Sequence, residues 1–84
     1  YVAKLFSRGR AKIAQKVGEE ATEAVIAAMQ DDKAGLTGEA ADLIFHLLIL
    51  LEDCNVPFSD VLAELDRREG VSGIAEKASR PTDR

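Results

Sequence analysis

The sequence predicts an all-α fold, an antiparallel helical bundle completed by homodimerisation, and three observations predict it. No segment alternates apolar and polar residues for long enough to make a strand, while Ala, Leu, Glu and Lys dominate the interior of each segment. Pro57 and Pro81 are the only prolines, and with the glycines they supply the breaks. The helices between those breaks make a thin core: a chain of 84 residues buries only roughly 60% of its unfolded surface, and the lone Cys54 cannot form an internal disulfide. A second copy is therefore expected to complete the bundle, with 1–84 as one domain and no internal repeat.

Each element has a local cause. A short amino-terminal turn carries Val2, Leu5 and Phe6, and a first long helix follows from about Arg10 to about Gln30. At 100° per residue Ile13, Ala14, Val17, Ala21, Ala24, Val25 and Ala28 gather on one face, which is expected to be the core face. Lys12, Lys16, Glu19, Glu20 and Glu23 gather on another, within an arc of about 100°. Asp31 and Asp32 form a polar break, and one of them is expected to cap the second long helix. That helix runs to about Cys54, with Gly35 and Gly38 weakening its first turns and Asn55 as a left-handed terminator. Ser59 is expected to cap a third helix from Asp60 to about Glu69, stopped by Gly70, with Phe58, Val61, Leu62 and Leu65 at core spacing. Ile74 anchors the remaining segment, and short loops imply antiparallel neighbours.

Charge and composition exclude several function classes. The net charge is −4, with Lys4, Arg8, Arg10, Lys12 and Lys16 in the first 18 residues and no acid there. From Glu19 to Asp66 there are twelve acids and one base, Lys33. Such segregation is either a set of solvated helix faces, or a middle that binds a cation and ends that hold a phosphate-rich ligand. Net negative charge and only four aromatics argue against a nucleic-acid platform. The longest apolar run, Leu43 to Leu51 broken by His46, falls well short of the ~20 residues of a membrane span, and no secretory leader is read. A single cysteine after an apolar run points to a buried thiol in a reducing compartment, by default the cytosol.

The second long helix is apolar nearly all round from Ala40 to Leu51, yet Glu39, Asp42 and His46 share one stripe at i, i+3 and i+7. Buried carboxylates need a partner or a metal. Lys or Arg could neutralise them, but antiparallel packing also brings Glu19, Glu20 and Glu23 opposite, and facing carboxylates repel unless protons or cations intervene. Oxygen-only ligands select a hard cation such as Mg²⁺. Lys12 and Lys16 precede the acids on the same face. They are either helical ion-pair partners, Lys16 with Glu20, or the grip on a polyphosphate beside the metal. His46 reads first as a core residue hydrogen-bonded to a neighbour, and otherwise as a group that orients a ligand.

The run Lys12-Ile13-Ala14-Gln15-Lys16-Val17-Gly18-Glu19-Glu20 with Glu23, separated by the fifteen residues 24–38 from Glu39-Ala40-Ala41-Asp42-Leu43, resembles the E-E-x-x-E and E-x-x-D pair of the all-α nucleotide pyrophosphohydrolases, the MazG-like superfamily. Asp42-Leu43-Ile44-Phe45-His46, Asp60-Val61-Leu62-Ala63-Glu64-Leu65 and Gly73-Ile74-Ala75-Glu76-Lys77 narrow the resemblance to its phosphoribosyl-ATP pyrophosphohydrolase family. The resemblance implies Mg²⁺-dependent cleavage of phosphoribosyl-ATP between its α and β phosphates, the second step of histidine biosynthesis. By match to the motif, Glu20, Glu23, Glu39 and Asp42 would be metal ligands. Glu19 would be the spare carboxylate, orienting water or supporting the ligands. Lys12 and Lys16 would hold phosphate with Arg8 or Arg10 assisting, and Lys77 and Arg80 of the tail would reach phosphate or ribose.

Two other readings compete. A non-catalytic helical interaction module would use the acids in salt-bridge networks indifferent to metal. A di-iron bundle would need Glu-x-x-His, and Asp42 stands where that His belongs. Within the enzyme class, the alternative is a related pyrophosphohydrolase acting on other nucleoside triphosphates.

Overall fold

Four helices follow one another: α1 (Val2–Arg8), α2 (Arg10–Met29), α3 (Lys33–Asp53) and α4 (Phe58–Ser79), with no strand among the described residues. The structure is a computed structural model describing the backbone of residues 1–79 and the side chains of residues 1–69. Lys77, as a side chain, and Arg80 lie outside the described residues.

The breaks have simple causes. Gly9 ends α1 and opens α2 at φ 93°, a backbone conformation that L side chains rarely adopt. Asp31 turns the chain in the left-handed region at φ 57°, and Asp32 then caps α3 by accepting the Gly35 N–H at 2.9 Å. At the far end Asn55, φ 60°, lets the Val56 N–H reach back to the Leu51 carbonyl at 2.9 Å, so the expected terminator is the observed one.

α2 and α3 form an antiparallel hairpin with α1 laid against both. Leu5, Ile13 and Ile49 are its buried centre, with Phe6 and Leu50 packed on them. Arg10 binds the end of α3 twice, Nε to the Asp53 carboxylate at 2.8 Å and Nη2 to its carbonyl at 3.0 Å. It is thereby committed to α3 and is not a free phosphate ligand.

Three expectations are corrected. The face of α2 turned to α3 carries Ile13, Glu20 and Ala27, all buried, whereas Ala14, Val25 and Ala28 of the expected core face are exposed. The buried line thus runs between the two predicted faces, taking Ile13 from the apolar one and Glu20 from the carboxylate one and leaving Glu19 and Glu23 exposed. α3 is not buried all round: only His46 and Ile49 are, while Ile44, Phe45, Leu47 and Leu48 remain exposed. By length and composition α3 is apolar enough to cross a membrane. Finally, α4 begins at Phe58, so Ser59 lies inside it, and it passes through Gly70 to Ser79. A glycine inside a helix costs about 1 kcal/mol, which does not by itself end it. Among the described residues α4 forms no interface comparable to that of α2 with α3, and its Phe58, Leu62 and Leu65 are exposed.

Candidate active site

Along α2 the residues Glu20 and Glu23 are one turn apart, and the short turn at residues 30–32 brings α3 back antiparallel so that Glu39 faces them. One carboxylate oxygen from each of the three lies within 4.8 Å of the others. Glu20 is 9% exposed and Glu39 half-buried, and the Oε1 atoms of both are shut off from solvent without a donor among the described residues. Buried acceptors left without a donor are costly, so the cluster calls for a proton or a cation.

The electrostatics agree. The Glu39 carboxyl is pushed up to about 7, first because its protonated form can donate to Glu20, then by burial, then by Glu23. Three acids this close cannot all ionise cheaply, and hard oxygen donors of this kind suit a divalent cation such as Mg²⁺. The residues fit a metal on that ground.

The other expected residues fall around this centre. Asp42 is one turn beyond Glu39 on α3, exposed and outside the trio. Glu19 is also outside it: its Oε2 accepts from Gln15 Nε2 at 2.8 Å and its Oε1 lies 4.0 Å from Lys16 Nζ. The Gln15 hydrogen bond, with the charges of Lys16 and Lys12, holds this carboxyl below its ordinary value. Lys16 therefore pairs with Glu19 and not with Glu20. Lys12 and Lys16 are half-buried beside the cluster, and Arg8 is exposed at the end of α1. His46 is the core residue expected: its Nδ1–H donates to the Asp42 carbonyl at 2.9 Å, which leaves Nε2 to accept from the Tyr1 hydroxyl at 3.3 Å.

Two features were missed from sequence. Gln15 steadies Glu19, one turn earlier on the same helix. Beyond the trio, a cavity of about 230 Å³ is lined by Glu23 and Glu39 together with Ile26, Ala27 and Gln30. Its signal was available, because Ile26, Ala27 and Gln30 continue the Glu23 stripe by three, four and seven residues.

Known proteins resemble this chain over most of its length. The family model described as Phosphoribosyl-ATP pyrophosphohydrolase matches residues 1–69. The Phosphoribosyl-ATP pyrophosphatase of Rhizorhabdus wittichii is 70% identical over 81 residues, 96% of this chain and 76% of that protein. That of Novosphingobium aromaticivorans is 71% identical over 80 residues, 95% and 75% of the two chains. That of Agrobacterium fabrum is 56% identical over 82 residues, 98% and 77%.

Proposed function

The chain belongs to the phosphoribosyl-ATP pyrophosphohydrolase family, and from that premise we propose its reaction and the residues that carry it. It is a hydrolase: phosphoribosyl-ATP and water give phosphoribosyl-AMP and pyrophosphate, the second step of histidine biosynthesis. The bond broken joins the α and β phosphates, and water supplies the oxygen that replaces it.

The observation that carries the site is the trio Glu20, Glu23 and Glu39 with two solvent-excluded, donorless oxygens. We assign these three, with Asp42 from the next turn of α3, as the residues that hold Mg²⁺. Bound there, Mg²⁺ would supply neutralisation of the triphosphate and Lewis-acid activation. Glu19, kept ionised by Gln15 and two lysines, is the carboxylate available to orient the attacking water and accept its proton. Lys12 and Lys16 bind phosphate from the α2 side, Arg8 adds charge at the mouth, and Lys77 and Arg80 of the tail reach the ligand. Gln15 fixes the Glu19 rotamer, and His46, its ring oriented by the Asp42 carbonyl of its own helix, ties α3 to the amino terminus through the Tyr1 hydroxyl.

The reading extends to a single domain over 1–84 working as a homodimer in the cytoplasm, with no nucleic-acid or membrane partner. The apolar faces of α2, α3 and α4 left open in one copy support a second copy packed on them. The test is pyrophosphate release from phosphoribosyl-ATP with and without Mg²⁺, beside ATP and dUTP. Metal-dependent turnover selective for phosphoribosyl-ATP is expected; cleavage of plain triphosphates alone would move the chain to the related triphosphate-clearing activity, and no turnover would return the acids to a structural role.

A further inference from the structure

The groove has two unlike ends. On the amino-terminal side of the carboxylate trio stand Lys12 and Lys16, half-buried bases within two turns of Glu20. On the carboxy-terminal side lies the 230 Å³ cavity whose walls include Glu23 and Glu39, so it is continuous with the trio. Among the described residues no base lines this cavity; beside the carboxylates of Glu23, Asp32 and Glu39 it offers the apolar Ile26 and Ala27 and the Gln30 amide, with both donors and an acceptor. Such a lining repels a polyphosphate and suits a flat, uncharged group with hydrogen-bonding edges. Beyond Asp32, which also lines the cavity, Lys33 opens α3. Lys33 is the one base between Glu19 and Asp66, it is exposed, and it takes part in no ion pair among the described residues. A neighbouring hollow lined by Lys33 shares the Ala27 and Asp32 walls with the cavity.

We propose that the substrate lies along the α2–α3 groove in one direction: the end that leaves as pyrophosphate at Lys12 and Lys16, the nucleoside in the cavity beyond Glu23 and Glu39, and its outlying sugar phosphate at Lys33. The inference rests on the reaction proposed above. The substrate carries phosphate at both ends with an uncharged purine and ribose between them, and among the described residues the groove carries base at both ends, with the Ile26, Ala27 and Gln30 hollow and its carboxylate rim between. From Lys16 to Met29 α2 rises about 20 Å, so the two basic ends are too far apart to serve one triphosphate. Lys33 then distinguishes phosphoribosyl-ATP from plain ATP, which has nothing to place there.

The test separates the two ends by product inhibition. In Lys33→Ala, KM for phosphoribosyl-ATP and the inhibition constant of phosphoribosyl-AMP should each rise about tenfold, the worth of one charge-assisted hydrogen bond, with kcat and pyrophosphate inhibition unchanged. AMP, which lacks the outlying phosphate, should bind Lys33→Ala as it binds the parent, and Lys33→Arg should restore the parent constants. Lys16→Ala should weaken pyrophosphate inhibition and spare that by AMP. The proposal is overturned if Lys33→Ala weakens pyrophosphate instead, or weakens AMP and phosphoribosyl-AMP alike, or alters no constant. A parent protein that does not turn over phosphoribosyl-ATP would instead overturn the underlying reaction, and that outcome is read before any variant is made.

Discussion

A carboxylate among carboxylates stores its repulsion in a raised proton affinity. Glu39 titrates near 7 against an ordinary 4.5, so between those values the folded, metal-free chain keeps a proton that the unfolded chain has released. The contribution is full below about pH 4.5 and is lost as pH rises toward 7. In EDTA, therefore, the melting temperature should fall across that window, Glu39→Gln should flatten the fall, and Mg²⁺ should restore stability at pH 7 and above. An unchanged slope in Glu39→Gln would take the titration away from this residue. Glu23 sits on the exposed edge of the same cluster, so Glu23→Ala removes a ligand without opening the core. Its pyrophosphate release should drop more than about 100-fold, since even groups that merely support metal ligands cost 10–100-fold. Melting in EDTA should stay at or above that of the parent. Near-parent activity would remove Glu23 from the site.

At the scale of the element, the start of α3 shows two glycines doing different work. In an exposed helix Gly→Ala gains about 1 kcal/mol of propensity. At Gly38 a Cβ would meet nothing, and the gain should be realised as a melting rise of about 4–8 °C. At Gly35 a Cβ would overlap the Asp32 carboxylate that caps the helix, and losing that cap costs about 1 kcal/mol. Gly35→Ala should therefore show no gain, and equal shifts in the two variants would mean that the cap does not restrain Gly35. This end of the hairpin was legible: an aspartate before a helical run is a cap, and the Glu20, Glu23 and Glu39 spacing placed them opposite once the turn was short. What was not legible was which stripe of α2 faces inward. The two predicted faces centre about 135° apart on the helix, and only the angle at which α3 returns selects the line between them that buries Ile13, Glu20 and Ala27. The continuation of α4 through Gly70 was misjudged for a related reason, since a glycine marks a stop only when the next residues can fold back on the last turn. Glu64, held down to about 2 by Arg67 and then Arg68, locks the middle of that helix. This contribution is present above about pH 4.5 and is lost as pH falls toward 2.

At the scale of the whole molecule, the question is what covers the apolar surface that the hairpin leaves out. Ile44, Leu47 and Leu48 are 56%, 38% and 39% exposed at i, i+3 and i+4 of α3, and Val25 on α2 is 61% exposed. Scattered singly they would need no explanation, but a stripe of them on the most apolar helix of so small a chain is the mark of an interface. Its burial would supply the core that Leu5, Ile13 and Ile49 alone make too thin. The parent should then weigh twice 9.1 kDa by light scattering at micromolar concentration, and its melting temperature should climb with concentration, because association stabilises by mass action. Leu48→Glu would place an unpaired charge in such an interface and leaves the carboxylate cluster untouched, so it should shift the mass toward 9.1 kDa and abolish the concentration dependence. Ile44→Glu, more exposed in the single copy and so less able to disturb its fold, is the control for simple misfolding. If both variants keep the parent's mass, the stripe on α3 is not the dimer interface, and the open face of α4, with Phe58, Leu62 and Leu65, becomes the surface to substitute next.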